Sequence, residues 1–123
     1  MLDNRSSVDV SLAGVELRPP SYFALAALID GPLHGYAIVR RAGELSEGRV
    51  RLSTGTLYAL LDRAVAEGLV IAGEPYVVGG RQRRDYTLTP AGRVVMAREA
   101  EQLARAAKVV SGRLRVSGEV VTA

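Results

Sequence analysis

Residues 53–68 read STGTLYALLDRAVAEG, and this stretch decides the fold. Leu57, Leu60, Leu61 and Ala64 recur at i, i+3, i+4 and i+7, the spacing of one face of an α-helix. Ser53 stands where an N-cap belongs, and Gly68 where a helix stops. Thr54, Thr56, Tyr58, Ala59, Asp62 and Arg63 fall on the opposite face. A helix apolar on one side, with hydroxyls and a guanidinium on the other, is suited to lie in a major groove. Its first backbone N–H groups, together with those hydroxyls, suit phosphate oxygens. A solvated face with an ordinary cap is the plainer alternative.

Working upstream, Ile38, Val39, Ala42 and Leu45 share a face and predict a helix over about residues 35–45, with Gly48 as its stop. Before it, Pro19 and Pro20 open a short helix whose buried face is Leu25, Leu28 and Ile29, closed by Asp30, Gly31 and Pro32. Arg49 to Leu52 is an extended link. Residues 1–19 alternate loosely through Val8, Val10, Leu12, Val15 and Leu17, which fits either a strand or an arm that orders against a partner. Downstream, Leu69 to Val78 and Arg83 to Leu88 predict a hairpin about Gly79 and Gly80, with Pro75 making the first strand short or irregular. Thr89 caps a final helix that starts at Pro90 and reaches about Leu114. Residues 117–123 carry no anchoring pattern.

The chain is 123 residues long, enough for one small core. Hydrophobic residues are 48% and charged residues 24%, so the chain should fold. Without Cys there is no disulfide, thiolate zinc site or thiol nucleophile, and a single His34 makes no metal cluster. No base, nucleophile and orienting group can be assembled around His34, so an enzyme is not expected, nor a cofactor; a capping or packing role suits it better. The longest apolar run, Tyr22 to Ile29, falls far short of the ~20 residues that span a bilayer, which points to a cytoplasmic protein without a membrane partner. The net charge of +3 conceals an asymmetry: residues 1–89 hold ten Arg against ten acidic groups, while residues 90–123 hold six basic and three acidic groups. Any case for nucleic acid therefore rests on placement.

Placement supplies one at the hairpin tip, where Arg81, Arg83 and Arg84 crowd three like charges that a polyanion would relieve. Alternation sends Arg81 and Arg83 to one face and Gln82 and Arg84 to the other. In the last helix Met96, Ala100, Leu103, Ala107, Val110 and Leu114 are spaced 4, 3, 4, 3, 4, an a/d seam that seeks another helix. A helix of some 25 residues is ~37 Å long and overhangs so small a body, which favours a homodimer. Two-fold symmetry then implies an inverted repeat in the DNA. The order of elements predicts a mainly α fold with a small β-hairpin. It is a winged helix-turn-helix (20–89) with an N-terminal arm (1–19), a long C-terminal dimerisation helix (90–116) and a tail (117–123).

An ordered set of residues resembles the PadR family of bacterial transcriptional regulators over about residues 21–114. It comprises Gly31 to Tyr36 (GPLHGY), Ser53 to Tyr58 (STGTLY), Glu67 to Leu69, Gly79 to Arg81, Arg83 to Thr89 (RRDYTLT) and Gly92. The resemblance implies a winged-helix homodimer joined through its last helix, usually a repressor and often released by a small molecule. For this chain the effector is unknown, with no Trp and only Phe23 and Met96 as soft contacts. Carried over by position, Ser53, Thr54, Thr56 and Tyr58 contact double-stranded DNA from the third helix, with Arg63 beside them and Arg81, Arg83 and Arg84 on the wing. Tyr36 combines a core ring with a hydroxyl that reaches a phosphate. The chain departs from the family pattern at Ala59, Asp62, Val65 and Asp85. The two acids would oppose a phosphate backbone unless Arg63 and Arg84 neutralise them. The alternative function is a winged-helix module whose Arg-rich hairpin binds an acidic protein.

Overall fold

A computed structural model describes residues 17–118. Residues 1–16 and 119–123, which carry most of the expected arm and tail, lie outside the described residues. Helix α1 (Pro19–Ala26) starts on its two prolines and buries Ser21, Ala24 and Leu25. It ends a turn earlier than the sequence suggests, and residues 27–30 continue as turns. Leu28 still reaches the core, but Ile29 is turned outward and is 40% exposed.

Helix α2 (Gly35–Leu45) follows a two-residue strand, β1 (Leu33–His34), that the sequence does not announce. Ala37, Ile38 and Ala42 are buried along it. Its stop differs from expectation: Glu47, not Gly48, is the first left-handed residue, at φ 56°, and the Gly48 N–H closes onto the Gly43 carbonyl. Helix α3 (Thr54–Ala66) is capped by Ser53, whose Oγ accepts from the Thr56 N–H at 3.1 Å. Leu57, Leu60, Leu61 and Ala64 are all buried. At its end Gly68 takes φ 76°, and the Leu69 and Gly68 N–H groups bond the carbonyls of Ala64 and Val65. That pair of bonds satisfies two of the orphan carbonyls and turns Leu69 into the core.

The hairpin is broken into two parts. Its root is β2 (Val70–Ala72) paired with β5 (Asp85–Leu88), and β5 is the middle strand of an antiparallel sheet in the order β1-β5-β2. Its tip is β3 (Tyr76–Val78) paired with β4 (Arg81–Arg83), a separate two-stranded sheet. Pro75 lies at the break on one side and Arg84 on the other. Gly79 and Gly80 both have positive φ, the geometry a two-residue hairpin turn requires.

Helix α4 (Pro90–Val116) is tied to the end of α3 at its first turn. Thr89 Oγ1 accepts from the Gly92 N–H and donates to the Gly68 carbonyl, while the Thr89 N–H donates to the Leu69 carbonyl. Gly92 lies so close to the Leu69 carbonyl that a side chain there would collide with it. Arg93 reaches across to the Ile29 carbonyl at 2.8 Å. Leu17 is buried, and its N–H donates to the buried carboxylate of Glu99. Residues 100–111 are all exposed, so the distal part of the helix projects from the body.

Candidate nucleic-acid interface

The N-termini of α2 and α3 and the outer part of the hairpin enclose a cleft of about 360 Å3. Tyr36, Tyr58, Arg81, Arg83 and Arg84 all line it. Five of the nine residues expected at a DNA site are thus brought together from three elements. Ser53, Thr54 and Thr56 are exposed at the start of α3, within about a turn and a half of Tyr58. Thr56 Oγ1 accepts a hydrogen bond from Ser53 Oγ at 3.0 Å, which couples the cap to its neighbour.

Tyr58 is packed, not merely displayed. Gly35 presents bare backbone to its ring: a Cβ at that position would lie 2.5 Å from the Tyr58 hydroxyl oxygen and 3.1 Å from Cζ. The absent side chain at the start of α2 therefore sets where the tyrosine stands. Tyr36 differs from expectation, since its ring is not in the core but 65% exposed, with the Arg40 guanidinium 5.7 Å from its centroid. Arg63 also departs from a freely solvated face. It is half-buried, and its Nε is enclosed without a hydrogen-bond partner. Its position at the edge of the leucine stripe lays the stem along apolar surface.

On the wing, Arg81 and Arg84 are exposed, whereas Arg83 is half-buried because its Nη1 contacts His34, 2.6 Å from Nε2. Burial lowers the pKa of His34, Arg83 and Arg40 lower it further, and Asp85 opposes them. Asp85 is not neutralised by Arg84. Its Oδ1 accepts from the Tyr76 hydroxyl at 2.6 Å, which raises the pKa of that phenol. Asp62 is exposed and makes no ion pair among the described residues. His34, Gly35 and Arg40 are participants that the sequence does not mark as such. A two-residue strand has no periodicity to reveal that His34 faces the wing.

In the expected dimer seam, Met96 is buried in this chain's own core. Ala100, Leu103, Ala107 and Val110 are exposed and Leu114 is half-buried, so the open seam begins at Ala100. Among the described residues no group of three or more His, Cys, Asp or Glu could hold a metal, and no helix is long and apolar enough to cross a membrane.

Three helices, the third presenting a polar face, followed by a hairpin whose tip stands over that helix, define a winged helix-turn-helix protein. The family model described as the transcriptional regulator PadR-like family matches residues 24–98, and the chain belongs to this family of regulators, which are not enzymes. It is 41% identical over 92 residues to transcriptional regulator Rv3488 of Mycobacterium tuberculosis, covering 72% of this chain and 80% of that protein. It is 47% identical over 90 residues to an uncharacterized 37.1 kDa protein in transposon TN4556 of Streptomyces fradiae. That match covers 73% of this chain and spans only 23% of the transposon protein. Bacillus subtilis PadR, solved in complex with operator DNA, superposes with a TM-score of 0.57 at 25% identity, covering 65% of this chain and 46% of that one.

Proposed function

We propose that this chain binds double-stranded DNA as a homodimer and represses transcription from an inverted-repeat operator in the bacterial cytoplasm. The carrying observation is the shared cleft, in which hydroxyls from α2 and α3 and guanidinium groups from the wing converge. In this reading Ser53, Thr54, Thr56 and Tyr58 meet bases and phosphates in the major groove, and Arg81, Arg83 and Arg84 meet the flanking backbone. Tyr36, with Arg40 over its ring, adds a phosphate contact. Arg63 reaches the backbone only through its terminal nitrogens, because its Nε is enclosed. The operator complex of the related Bacillus subtilis protein supports the reading.

The partner in the dimer is a second copy meeting Ala100, Leu103, Ala107, Val110 and Leu114, with Met96 beneath the near end of the seam. Residues 20–89 then form the DNA-binding part, and 90–116 the dimerisation helix. An apolar groove of about 230 Å3 between α1 and α4, lined by Tyr22, Ala26, Ile29, Met96, Ala97 and Ala100, continues this surface. A small-molecule effector would act there by changing how the halves meet.

Selection of duplexes from a random pool by the purified chain tests the reading. The expected result is an inverted repeat with half-site centres ~10 base pairs or a multiple apart, bound with an affinity that falls steeply with salt. Failure to enrich any sequence, with residual binding lost at physiological salt, overturns it. Repression is checked by placing the selected site in a reporter promoter.

A further inference from the structure

His34 stands between two donors. Its Nδ1 lies 3.3 Å from the Ala37 N–H at the start of α2, while Arg83 places Nη1 2.6 Å from Nε2 and 3.2 Å from Nδ1. A neutral imidazole has one lone-pair nitrogen: with Nδ1 accepting from the Ala37 N–H, Nε2 carries the proton, and Arg83 Nη1, close to both ring nitrogens, rests against the ring face. A protonated ring would lose that acceptor and set two cations in contact. The groups that face the ring are Arg83 on β4, Asp85 opposite it on β5 and Arg40 on α2, with Tyr36, Tyr58 and Arg81 around the cleft.

This contact joins residues 49 apart in sequence, beside the β1–β5 pairing that sets His34 opposite Asp85. The tip β3–β4 is a sheet of its own, and two side-chain contacts brace it against the root: Tyr76 on Asp85, and Arg83 on His34. Arg83 spends Nη1 on the ring, and its other donors have no partner among the described residues.

We propose that His34 is a positioning residue whose neutral ring holds Arg83 in the cleft, aiming the free guanidinium donors at one backbone phosphodiester and fixing the angle of the wing tip. The phosphodiester half of this proposal rests on the DNA-binding reading above. Serine and glutamine separate the two jobs of the ring. Ser is a strong N-cap whose short hydroxyl stops well before Arg83, whereas the longer Gln offers Arg83 a carbonyl in place of the ring.

The experiment measures affinity for the selected duplex in His34→Ser, His34→Gln, Arg83→Ala and the His34→Ser/Arg83→Ala double variant, with thermal unfolding of each. His34→Ser is expected to unfold near the wild-type temperature yet bind roughly tenfold more weakly, as the contact that holds Arg83 is lost. Arg83→Ala loses a similar factor, the double variant loses no more than Arg83→Ala, and His34→Gln restores binding to within about twofold. A folded His34→Ser that binds like wild type, or a folded His34→Gln that does not recover, overturns the proposal. His34 is the only histidine in the chain, so NMR titration of the free protein gives a readout without DNA. Its titration midpoint should rise in Arg83→Ala, and an unchanged midpoint also refutes the contact. A wild-type chain that binds no duplex overturns the DNA reading and the phosphodiester half, while the titration still decides whether His34 holds the wing.

Discussion

Gly35→Ala is the substitution at which stability and binding should separate. The backbone at Gly35 lies outside the left-handed region, so alanine is sterically allowed there, and helix propensity favours it by up to ~1 kcal/mol. The new Cβ would lie 2.5 Å from the Tyr58 hydroxyl oxygen, 3.1 Å from its Cζ and 3.3 Å from Leu57 Cδ2. The first distance is about an ångström short of ordinary contact. Leu57 is 2% exposed and cannot yield far, but Tyr58 is 41% exposed and can swing outward. Turning one ring off its rotamer costs about 0.5–1.5 kcal/mol, which roughly cancels the propensity gain. Thermal unfolding should therefore shift by no more than a few degrees. The hydroxyl would leave its place in the cleft, and affinity for the selected duplex should fall about tenfold, or ~1.4 kcal/mol. Fluorescence anisotropy on labelled duplex measures this, with the pair repeated in a Tyr58→Phe background where no hydroxyl remains to be displaced. There Gly35→Ala should change affinity little. The reasoning is refuted if Gly35→Ala binds like wild type, or if it loses the same factor with and without the hydroxyl.

Gly92→Ala should be far more damaging to folding, because the added methyl meets the Leu69 carbonyl and lies 2.7 Å from Leu88 Cδ1; a loss of about 3 kcal/mol is expected from denaturant titration. Gly55→Ala is its control, a helical glycine with open space around it, and should be neutral or stabilising by up to ~1 kcal/mol. The lowered pKa of His34 makes the folded state bind fewer protons than the unfolded chain. Stability should be full above the ordinary imidazole value of 6.5 and fall as pH drops through it toward the folded value, with a shallower fall in Arg83→Ala. Leu103→Glu, on the exposed part of α4, should leave the monomer fold intact by circular dichroism while sedimentation reports loss of the dimer.

Helices α2 and α3 were legible to within a residue because each carries an apolar stripe over more than two turns between recognisable start and stop residues. Shorter signals misled. Leu25, Leu28 and Ile29 share a helical face only if the helix continues, and α1 ends at Ala26, so Ile29 turns away from the core. Leu69 to Val78 reads as a first strand that Pro75 makes short or irregular, and the break does fall beside Pro75, which cannot donate to a ladder; what the sequence does not announce is that the pairing resumes as a separate sheet. Met96 fits the spacing of the exposed seam, yet α4 is held so close to Leu69 and Leu88 at Gly92 that its first turns are absorbed into the core. Of the candidate site, the exposed hydroxyls and wing arginines were readable from position alone. The His34 contact and the Gly35 seat for Tyr58 depend on tertiary approach, which no local period encodes.

The two acids that the sequence sets against a phosphate backbone have different standing. Asp85 is half-buried at the junction of wing tip and root, and it is tied there twice: its carboxylate takes the Tyr76 hydroxyl, and its backbone carbonyl takes the Gly73 N–H at 2.8 Å. Tyr76 pairs with Arg83 in the tip, so the same bond that occupies the Asp85 carboxylate also holds the strand carrying Arg83. A basic residue at that position would add a charge for DNA but remove the acceptor that fixes the tip. Asp85 thus opposes a nearby phosphate by its charge while aligning the arginine that would bind it. Asp62 has no such tie and stays exposed on the polar face of α3, so its charge is the one that bears directly on what the helix can approach. Beside a phosphate it is a cost, whereas beside a cytosine amino group it is an acceptor. If α3 enters the major groove, the electrostatics favour a register that sets Asp62 toward base edges and leaves the backbone to the hydroxyls at the helix start and to the wing.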